Sequence, residues 1–260
     1  MLIDIGVNLT SGQFASDVVE VVARANKAGV EKLIITGTNI PESILAEQMA
    51  SLHPGRLYAT AGIHPHHAKE FNQDSMPALS DLLEKASVVA VGECGLDYNR
   101  NFSEPADQRR CFSAQLQLAA EKNQPVFLHQ RDAHEDFVSI LSEYLPQIPA
   151  AVAHCFTGRA DEMQQYIEMG LYIGITGWIC DERRGQELKS IVNKIPFDRL
   201  MIETDAPYLL PRDLKPKPKS RRNEPMYLPH IANVVAECYD VSVNEITEHT
   251  TKNSQRFFRL

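Results

Sequence analysis

Acidic and histidine side chains follow several short apolar runs of this sequence, and both side-chain types are ligands for divalent metal ions. The most distinctive run is Val-Val-Ala-Val-Gly-Glu-Cys-Gly-Leu-Asp at 88–97, where Glu93 follows four apolar residues and a glycine. A carboxylate at the end of a buried strand is costly unless a cation compensates its charge. An arginine would serve as well as a metal ion, so this run alone leaves both partners open.

Three later apolar runs end in the same kinds of side chain, at His129, His154 and Asp205. A single histidine in this position is more often a hydrogen-bonded structural residue than a ligand. Several buried polar groups that meet at one place, however, need a shared partner, and a divalent ion is the simplest one. Imidazoles and carboxylates together suit Zn²⁺ or Mn²⁺, and carboxylates with water suit Mg²⁺. We therefore predict one metal site formed by Glu93, His129, His154 and Asp205.

A scaffold must bring these distant residues together, and the periodicity of the chain indicates which one. Short β-rich runs alternate with amphipathic helical patterns eight times, and one further helix is predicted at about 242–258. Apolar strands between amphipathic helices are typical of a parallel sheet covered by helices. Eight such units in 260 residues favour an α/β fold of the (β/α)8 TIM-barrel type. A doubly wound open sheet is the alternative, but no glycine-rich phosphate turn follows the first strand.

The predicted ligands lie where such a barrel places its active site, because the chemistry of (β/α)8 barrels occurs at the carboxyl ends of the strands. We see no linker and no low-complexity segment, so we expect one hydrolase domain over residues 1–260. The strands are predicted at 2–9, 32–37, 57–63, 88–97, 125–129, 151–154, 171–175 and 200–205.

Hydrolysis is the chemistry that such a site favours. A bound divalent ion lowers the pKa of water to about 7 and neutralises charge on a reacting oxygen, which suits an ester, amide or phosphoester substrate. Asp205 would bind the ion, hold the attacking water as general base, or do both. His64, after the third strand, would contact a substrate phosphate or assist the leaving group. No serine or cysteine occupies a recognisable nucleophile turn, and we interpret Cys94 and Cys155 as packing residues.

Basic residues near the predicted rim of the barrel indicate a phosphate-bearing substrate. The loop after strand eight, residues 212–224, contains six lysines and arginines, although the chain has a net charge of −8. We call it the basic loop. A solvated surface is the ordinary interpretation of such a run, but cations above a metal site favour phosphate. The overall acidity argues against a general binder of duplex DNA. The residues predicted to bind phosphate are His64, His66, Arg131, Arg183, Arg184, Arg221 and Arg222.

Other features of the sequence bear on where the protein works. No apolar run approaches 18 residues, so we expect no membrane span. The amino terminus lacks the basic stretch of a signal peptide. The five cysteines are odd in number and form no C-x-x-C pair, which favours reduced thiols and a cytoplasmic location. The acidic surface favours a monomer.

At the level of motifs, the sequence resembles the TatD family of metal-dependent deoxyribonucleases, and the resemblance covers essentially the whole chain in order. The matching stretches are Asp-Ile-Gly-Val-Asn-Leu-Thr (4–10), Ala-Gly-Ile-His-Pro-His (61–66), Gly-Glu-Cys-Gly-Leu-Asp (92–97), Leu-His-Gln-Arg-Asp-Ala (128–133), His-Cys-Phe-Thr-Gly (154–158) and Glu-Thr-Asp-Ala-Pro-Tyr (203–208). The resemblance implies an amidohydrolase-like barrel that acts as a 3′→5′ exonuclease on the 3′ ends of single-stranded DNA and RNA. It implies dependence on Mg²⁺, or on Mn²⁺ or Zn²⁺ in its place.

The same resemblance implies roles for individual residues. Glu93, His129 and His154 would be ligands, Asp205 would be the catalytic acidic residue, and His64 would contact phosphate, so that Glu93, His64 and Asp205 are the expected catalytic residues.

One departure from the wider family concerns a second metal position. Most relatives have His-x-His at the end of strand one, whereas this sequence has Gly6 and Asn8. Gly6 has no ligand atom, and Asn8 offers only a neutral oxygen. We therefore predict one tightly bound ion, with a second ion that is weakly held, absent or supplied with the substrate.

Two other functions would use the same scaffold. An amidohydrolase that acts on a small amide or lactone would need the metal site but not the basic loop. A barrel that has lost its chemistry and acts as an accessory binding protein would have no need to keep the acid and the histidines.

Overall fold

Strands and helices alternate along the whole chain. The structure, a computed structural model, describes residues 1–260. Strands β1 to β8 are Leu2–Val7, Val30–Ile35, Leu57–Ala61, Val88–Asp97, Val126–Arg131, Ala151–Ala153, Tyr172–Ile175 and Leu200–Ile202. Helices α1 to α9 are Val18–Lys27, Ile40–Ser51, Ser75–Leu83, Pro105–Lys122, His134–Tyr144, Ala160–Glu168, Gln186–Ile191, Leu228–Tyr239 and Val243–Phe258. None of these helices combines the length and the apolar character that crossing a bilayer requires.

The strand order identifies the fold class. All eight strands belong to one sheet, in which neighbours follow the order β1 to β8, and an α-helix follows every strand. This is the order of a (β/α)8 barrel, so the predicted fold class and the additional carboxyl-terminal helix are confirmed. The doubly wound alternative is excluded, because its strand order reverses partway across the sheet.

The first of two compact units comprises residues 36–154 and contains β3 to β6. Its strands pair in parallel, with Val91 of β4 opposite Val126 of β5. All ten residues of β4 are buried, as expected for a strand that is covered on both faces. Helices α4 and α5 pack on β4 and β5, and the rings of Phe112 and Phe137 stack between these helices at 5.5 Å.

Strand β4 is irregular where it passes β5. Gly92 pairs with Phe127 and Cys94 pairs with Leu128, so that Glu93 is an additional residue in the register. Gly92 has a φ of +137°, and a side chain there would meet the carbonyl oxygen of Phe127 at 2.3 Å, so the position requires glycine. A bulge of this kind turns a side chain out of the regular ladder, and the residue affected here is Glu93.

The second unit comprises residues 1–35 and 155–260. Strand β1 pairs with β2 and also lies beside the end of β8. There the backbone amides of Asn8 and Asp205 donate to carbonyl oxygens of the opposite chain segment, at 2.7 and 2.9 Å. Helix α9 packs on both β1 and β8, and its buried Phe257 has its ring 5.5 Å from that of Tyr172 in β7. The strand ends that carry Asn8 and Asp205 are therefore fixed by backbone pairing.

The predicted strand boundaries differ from the observed ones mainly at the carboxyl ends. Strand β4 matches the prediction at both ends. Strand β8 ends at Ile202 instead of residue 205, and Asp205 has a φ of +53°, outside the extended region of a strand. Strand β5 continues to Arg131, two residues past its predicted end, because it remains paired with β4 as far as Asp97.

Asp4 is a fully buried carboxyl group in β1. It accepts hydrogen bonds from the backbone amide of Thr204 at 2.9 Å and from the Thr204 hydroxyl at 2.5 Å, and the amide of Gly6 also donates to it at 3.3 Å. Burial raises the pKa of Asp4 to about 8, although the hydrogen bonds from Thr204 act in the opposite direction. The folded chain therefore holds a proton on Asp4 over a pH range in which the unfolded chain releases it.

We expect the Asp4→Asn variant to lose less stability than the wild type as the pH rises from about 5 to about 8. A carboxyl group whose pKa is raised by folding stabilises the fold fully below its unfolded pKa, and this contribution is lost as the pH rises towards about 8. The slope is at most roughly 1.4 kcal/mol per pH unit. Asparagine keeps an acceptor oxygen and does not ionise, so the variant lacks this pH dependence. Urea unfolding of both proteins at several pH values measures the free energy of unfolding and its change with pH. Parallel pH profiles for the two proteins would contradict this role of Asp4.

Candidate metal centre

Three imidazoles surround one carboxylate oxygen at the carboxyl ends of β3 to β6. The Oε1 atom of Glu93 lies 2.7 Å from His154 Nε2, 2.9 Å from His129 Nδ1 and 3.3 Å from His64 Nε2. All four residues belong to the unit 36–154, and His129 is the most exposed of their side chains, at 19%. Parallel strands bring their carboxyl ends to the same edge of a sheet. The structure therefore brings Glu93, His129 and His154 together, and it adds His64 to the group.

Opposing effects determine the charge of Glu93. Burial alone would raise the pKa of this carboxyl group, but the imidazoles of His154 and His64 and the hydrogen bond from His129 outweigh burial. They hold the pKa of Glu93 well below its usual range. Glu93 is therefore ionised at neutral pH, which is the state that metal binding requires.

His64 is neutral, in contrast to His129, whose pKa is raised. Burial lowers the pKa of His64 to about 4, so the imidazole is neutral at pH 7. Its Nδ1 atom accepts a hydrogen bond from the backbone amide of His66 at 3.1 Å, and in the tautomer that this bond requires the proton is on Nε2. His64 therefore presents an N–H donor at the centre, which suits contact with a phosphate oxygen better than it suits ligation through Nε2.

His129 lies between two carboxylates. Its Nδ1 atom contacts Glu93 at 2.9 Å and its Nε2 atom contacts Asp97 at 3.3 Å. Burial opposes a charge on this imidazole, but the hydrogen bonds to Asp97 and Glu93 outweigh burial and raise the pKa of His129. The two carboxylates thus favour a positive charge between them.

The residues at this centre fit a divalent ion. One ligand atom from each of His64, Glu93 and His129 lies within 4.8 Å of the other two. The Nε2 atom of His154 lies 2.7 Å from Glu93 Oε1. The imidazoles of His129 and His154 with carboxylates form a ligand set for Zn²⁺ or Mn²⁺, and the carboxylates also suit Mg²⁺. The carboxylates of Glu93 and Asp97 favour a positive charge on the His129 imidazole between them. A metal ion bound at this centre would supply a positive charge in the same place.

Asp97 was not among the predicted site residues. Its Oδ2 atom lies 2.8 Å from His66 Nε2 and 3.3 Å from His129 Nε2. Burial would raise the pKa of Asp97, but the hydrogen bonds to His129 and His66 hold it below its usual range. A signal was available in the sequence, because Glu93 and Asp97 are four residues apart on one strand and side chains alternate between its faces.

Asp205 and Asn8 form a separate pair in the second unit. The side-chain amide of Asn8 donates to Asp205 Oδ1 at 3.0 Å, and this contact orients the carboxylate. Glu203, which precedes this pair, is fully buried, and its Oε1 atom accepts a hydrogen bond from the backbone amide of Cys155 at 2.6 Å. The contact fixes the turn after β6.

The predicted phosphate-binding arginines have different surroundings. Arg131 is exposed at the end of β5. Arg183 and Arg184 are exposed after β7, where both backbone amides donate to Asp181 Oδ1. The guanidinium of Arg184 also lies 4.2 Å from the centre of the Trp178 ring. A flat cation above an aromatic ring provides a surface on which a base or a phosphate can be bound.

Arg222 takes part in an ion-pair cluster, which we call the Arg222 clamp. Its guanidinium donates to both carboxylate oxygens of Asp17 and to Glu224, each at 2.7 Å. Arg24 reaches the same two acids at 3.0 and 2.7 Å. The clamp holds the end of the basic loop to the start of α1, whereas the neighbouring Arg221 is exposed.

Comparisons with known proteins place the chain in one family. The family model described as TatD related DNase matches residues 3–259. Relatives named 3′-5′ ssDNA/RNA exonuclease TatD from Edwardsiella piscicida and from Pectobacterium parmentieri are each 55% identical over 259 residues, which is 100% of both chains in each case. The resemblance stated from the motifs is confirmed.

Solved structures agree over the same length. A TatD family hydrolase from Entamoeba histolytica is 29% identical, with a TM-score of 0.89 over 99% of this chain and 97% of the other. A TatD homologue from Escherichia coli k12 is 27% identical, with a TM-score of 0.88 over 100% and 98%. A dihydroorotase from Campylobacter jejuni is 12% identical, with a TM-score of 0.60 over 100% of this chain and 83% of the other. This comparison shows a similar fold and nothing more.

We expect Glu93→Gln to reduce the affinity for Mn²⁺ by more than about 100-fold. Loss of a residue that only hydrogen-bonds a metal ligand lowers the affinity by roughly 10–100-fold, and Glu93 is itself a proposed ligand. Glutamine keeps the shape of the side chain but removes the negative charge around which three imidazoles converge. Isothermal titration with Mn²⁺ measures the affinity, and circular dichroism checks the fold. The matched control is Glu84→Gln, which removes an exposed carboxylate paired with Lys122. Wild-type affinity in Glu93→Gln would contradict its place at the centre.

We expect Asp97→Asn to weaken Mn²⁺ binding by a smaller factor, about 10–100-fold, and to lower the pKa of His129. The reason is that asparagine cannot supply the charge that favours the protonated imidazole. An NMR titration of the His129 ring in the metal-free protein measures the pKa. Asp132→Asn serves as the control, because Asp132 is an exposed acid that accepts a hydrogen bond from Asn99. An unchanged pKa of His129 would show that Asp97 has no influence on this ring.

Proposed function

This chain belongs to the TatD-related DNase family, and on that premise we infer that it is a metal-dependent 3′→5′ exonuclease that hydrolyses phosphodiester bonds of single-stranded DNA and RNA. The relatives that carry this activity in their names align over 100% of the chain at 53–55% identity. The observation that carries the proposal is the buried group of Glu93 with three imidazoles at the carboxyl ends of β3 to β6.

The proposed ligands are Glu93, His129, His154 and Asp205. A divalent ion bound there supplies positive charge near the scissile phosphate and lowers the pKa of water towards neutrality. We propose Mg²⁺ as the physiological ion on the basis of the family, with Mn²⁺ or Zn²⁺ as replacements. We propose a single tightly bound ion, since Gly6 has no side chain and Asn8 offers only a neutral oxygen, while its amide nitrogen donates to Asp205.

We propose a role for each of the other residues near the ion. Asp205 acts as the general base that takes the proton from the attacking water, and Asn8 orients it. His64 is neutral at pH 7 and donates its Nε2 proton to a phosphate oxygen. Asp97 positions His129 and His66 by contact with both rings.

The basic residues around the site contribute the charge that a nucleic acid requires. We propose that Arg131, Arg183, Arg184 and Arg221 contact the phosphates of the single strand. His66 would join them from its position beside Asp97, and Arg222 would contribute positive charge while the clamp holds it. Long-range attraction of this kind weakens as salt increases. We further propose that residues 1–260 act as one hydrolase domain, as a monomer in the cytoplasm.

An oligonucleotide labelled at its 5′ end tests the proposed activity. In Mg²⁺ we expect a ladder that shortens from the 3′ end with release of mononucleotides, and we expect single strands to be better substrates than blunt duplexes. Asp205→Asn should lower kcat by at least about 100-fold, as loss of a general base does. Mn²⁺ should still bind at Glu93, with an affinity lowered by the loss of one charged ligand. Chelation of the ion should stop the reaction.

Two outcomes would overturn the proposal. Equal nuclease activity in the wild type and in Glu93→Gln would identify a contaminating nuclease. No release of nucleotides with any divalent ion, together with turnover of a small amide or lactone, would identify an amidohydrolase.

A further inference from the structure

We propose that Cys180, Asp213 and His230 form a second metal site, which takes a thiophilic divalent ion of the Zn²⁺ class and fastens the basic loop to helix α8. All three residues belong to the second unit. Cys180 ends the short 3₁₀ turn after β7, Asp213 is in the basic loop after β8, and His230 is in the first turn of α8. The site shares no residue with the centre at Glu93 and does not depend on the nuclease activity.

The geometry of the three side chains is close to that of a zinc site. One ligand atom from each residue lies within 4.8 Å of the others, and His230 Nε2 is 2.7 Å from Asp213 Oδ1. A tetrahedral ion with bonds of about 2.0–2.3 Å separates its ligand atoms by about 3.5 Å. Small rotations of the side chains would therefore accommodate the ion, since the His230–Asp213 pair has to open by less than about 1 Å.

The thiol of this site is buried, whereas its carboxylate and imidazole are partly open to solvent. Cys180 is only 1% exposed, whereas the side chains of Asp213 and His230 are 36% and 29% exposed. An ion can therefore enter from the solvent, and water can take the remaining coordination position. A set of one thiolate, one imidazole and one carboxylate suits Zn²⁺ or Co²⁺ and does not suit Mg²⁺.

The charges balance when an ion binds. Burial raises the pKa of the Cys180 thiol, and the adjacent Asp213 carboxylate adds to this effect. The thiol therefore keeps its proton in the absence of metal, and binding releases that proton to the solvent. A doubly charged ion then neutralises one thiolate and one carboxylate, while the imidazole of His230 binds as a neutral ligand.

The position of the site indicates what a bound ion would do. Arg212 pairs with Glu182 at 3.1 Å at the start of the basic loop, and the Arg222 clamp holds its end. Asp213 lies just after the first of these contacts. An ion bound to Asp213 would tie the loop to Cys180 and to His230, and so would restrict the segment that contains Lys219 and Arg221.

Cobalt spectroscopy tests the site directly. The full-length reduced protein, stripped of metal by a chelator, is titrated with Co²⁺, and the near-ultraviolet band of a thiolate–Co²⁺ bond is recorded. No cysteine is among the proposed ligands at Glu93, so a thiolate band does not arise from ligation at that centre, and variants of single cysteines identify its source. We expect the band in the wild type and in Glu93→Gln, and we expect its loss in Cys180→Ser. Failure of the nuclease proposal leaves this readout unaffected.

Two further variants keep the test decisive. Cys238→Ser changes a partly buried thiol at the other end of α8 and should retain the band. Asp213→Asn alters a partly exposed loop residue, so we expect this variant to fold even if Cys180→Ser does not. It should weaken Co²⁺ binding at this site by at least about 10-fold. No thiolate band at saturating Co²⁺, or a band that Cys238→Ser abolishes, would overturn the proposed site.

Limited proteolysis tests the fastening of the loop. In the Glu93→Gln background, which weakens the other centre, Zn²⁺ should slow trypsin cleavage at Lys219 and Arg221 several-fold. The same ion should have no such effect in Asp213→Asn. If the thiolate band appears but Zn²⁺ does not protect the loop from trypsin, the metal site is supported and its proposed role in holding the loop is wrong.

Discussion

A buried carboxylate is the constraint on which the rest of this structure depends. Glu93 is 5% exposed and ionised, and taking an ion out of water costs several kcal/mol unless partners compensate it. The compensation comes from three imidazoles that reach Glu93 from the ends of three other strands, at His64, His129 and His154. Only strands that run in parallel, with their carboxyl ends at one edge, can supply such partners from separate parts of the chain.

Local backbone structure then determines where the carboxylate lies. The bulge in β4 makes Glu93 an additional residue opposite β5, and the close approach of Gly92 to Phe127 excludes a side chain at that position. Asp97, at the end of the same strand, takes the far side of the His129 ring. One strand therefore supplies both carboxylates between which a positive charge is favourable.

The periodicity and the strand ends made the fold and the centre predictable from the sequence. The bounds of β4 and the convergence of Glu93, His129 and His154 follow from apolar runs that end in ligand-type residues. The sequence gives no comparable signal for the Arg222 clamp, because Arg222 and Asp17 are 205 residues apart and neither belongs to a periodic element. The Cys180 group is hidden for the same reason, since its three members come from a turn, a loop and a helix.

The charged residues near the basic loop divide into two groups with different physical roles. Arg222 and Arg212 are paired with acids at the two ends of the loop, so much of their charge is already compensated. Arg221 is exposed between these anchors. A net charge of −8 is therefore compatible with a local surface for phosphate, because the acids that pair with the anchors also hold the loop in place.

The most direct test of the account is a crystal structure of the protein soaked in Mn²⁺, with anomalous diffraction recorded to locate the ion. The account predicts one strong anomalous peak about 2.2 Å from ligand atoms of Glu93, His129 and His154, with His64 displaced from Glu93 Oε1 and free to donate to a phosphate. A protein that binds no Mn²⁺ among these residues at saturating concentration, while their imidazoles remain on Glu93, would contradict it.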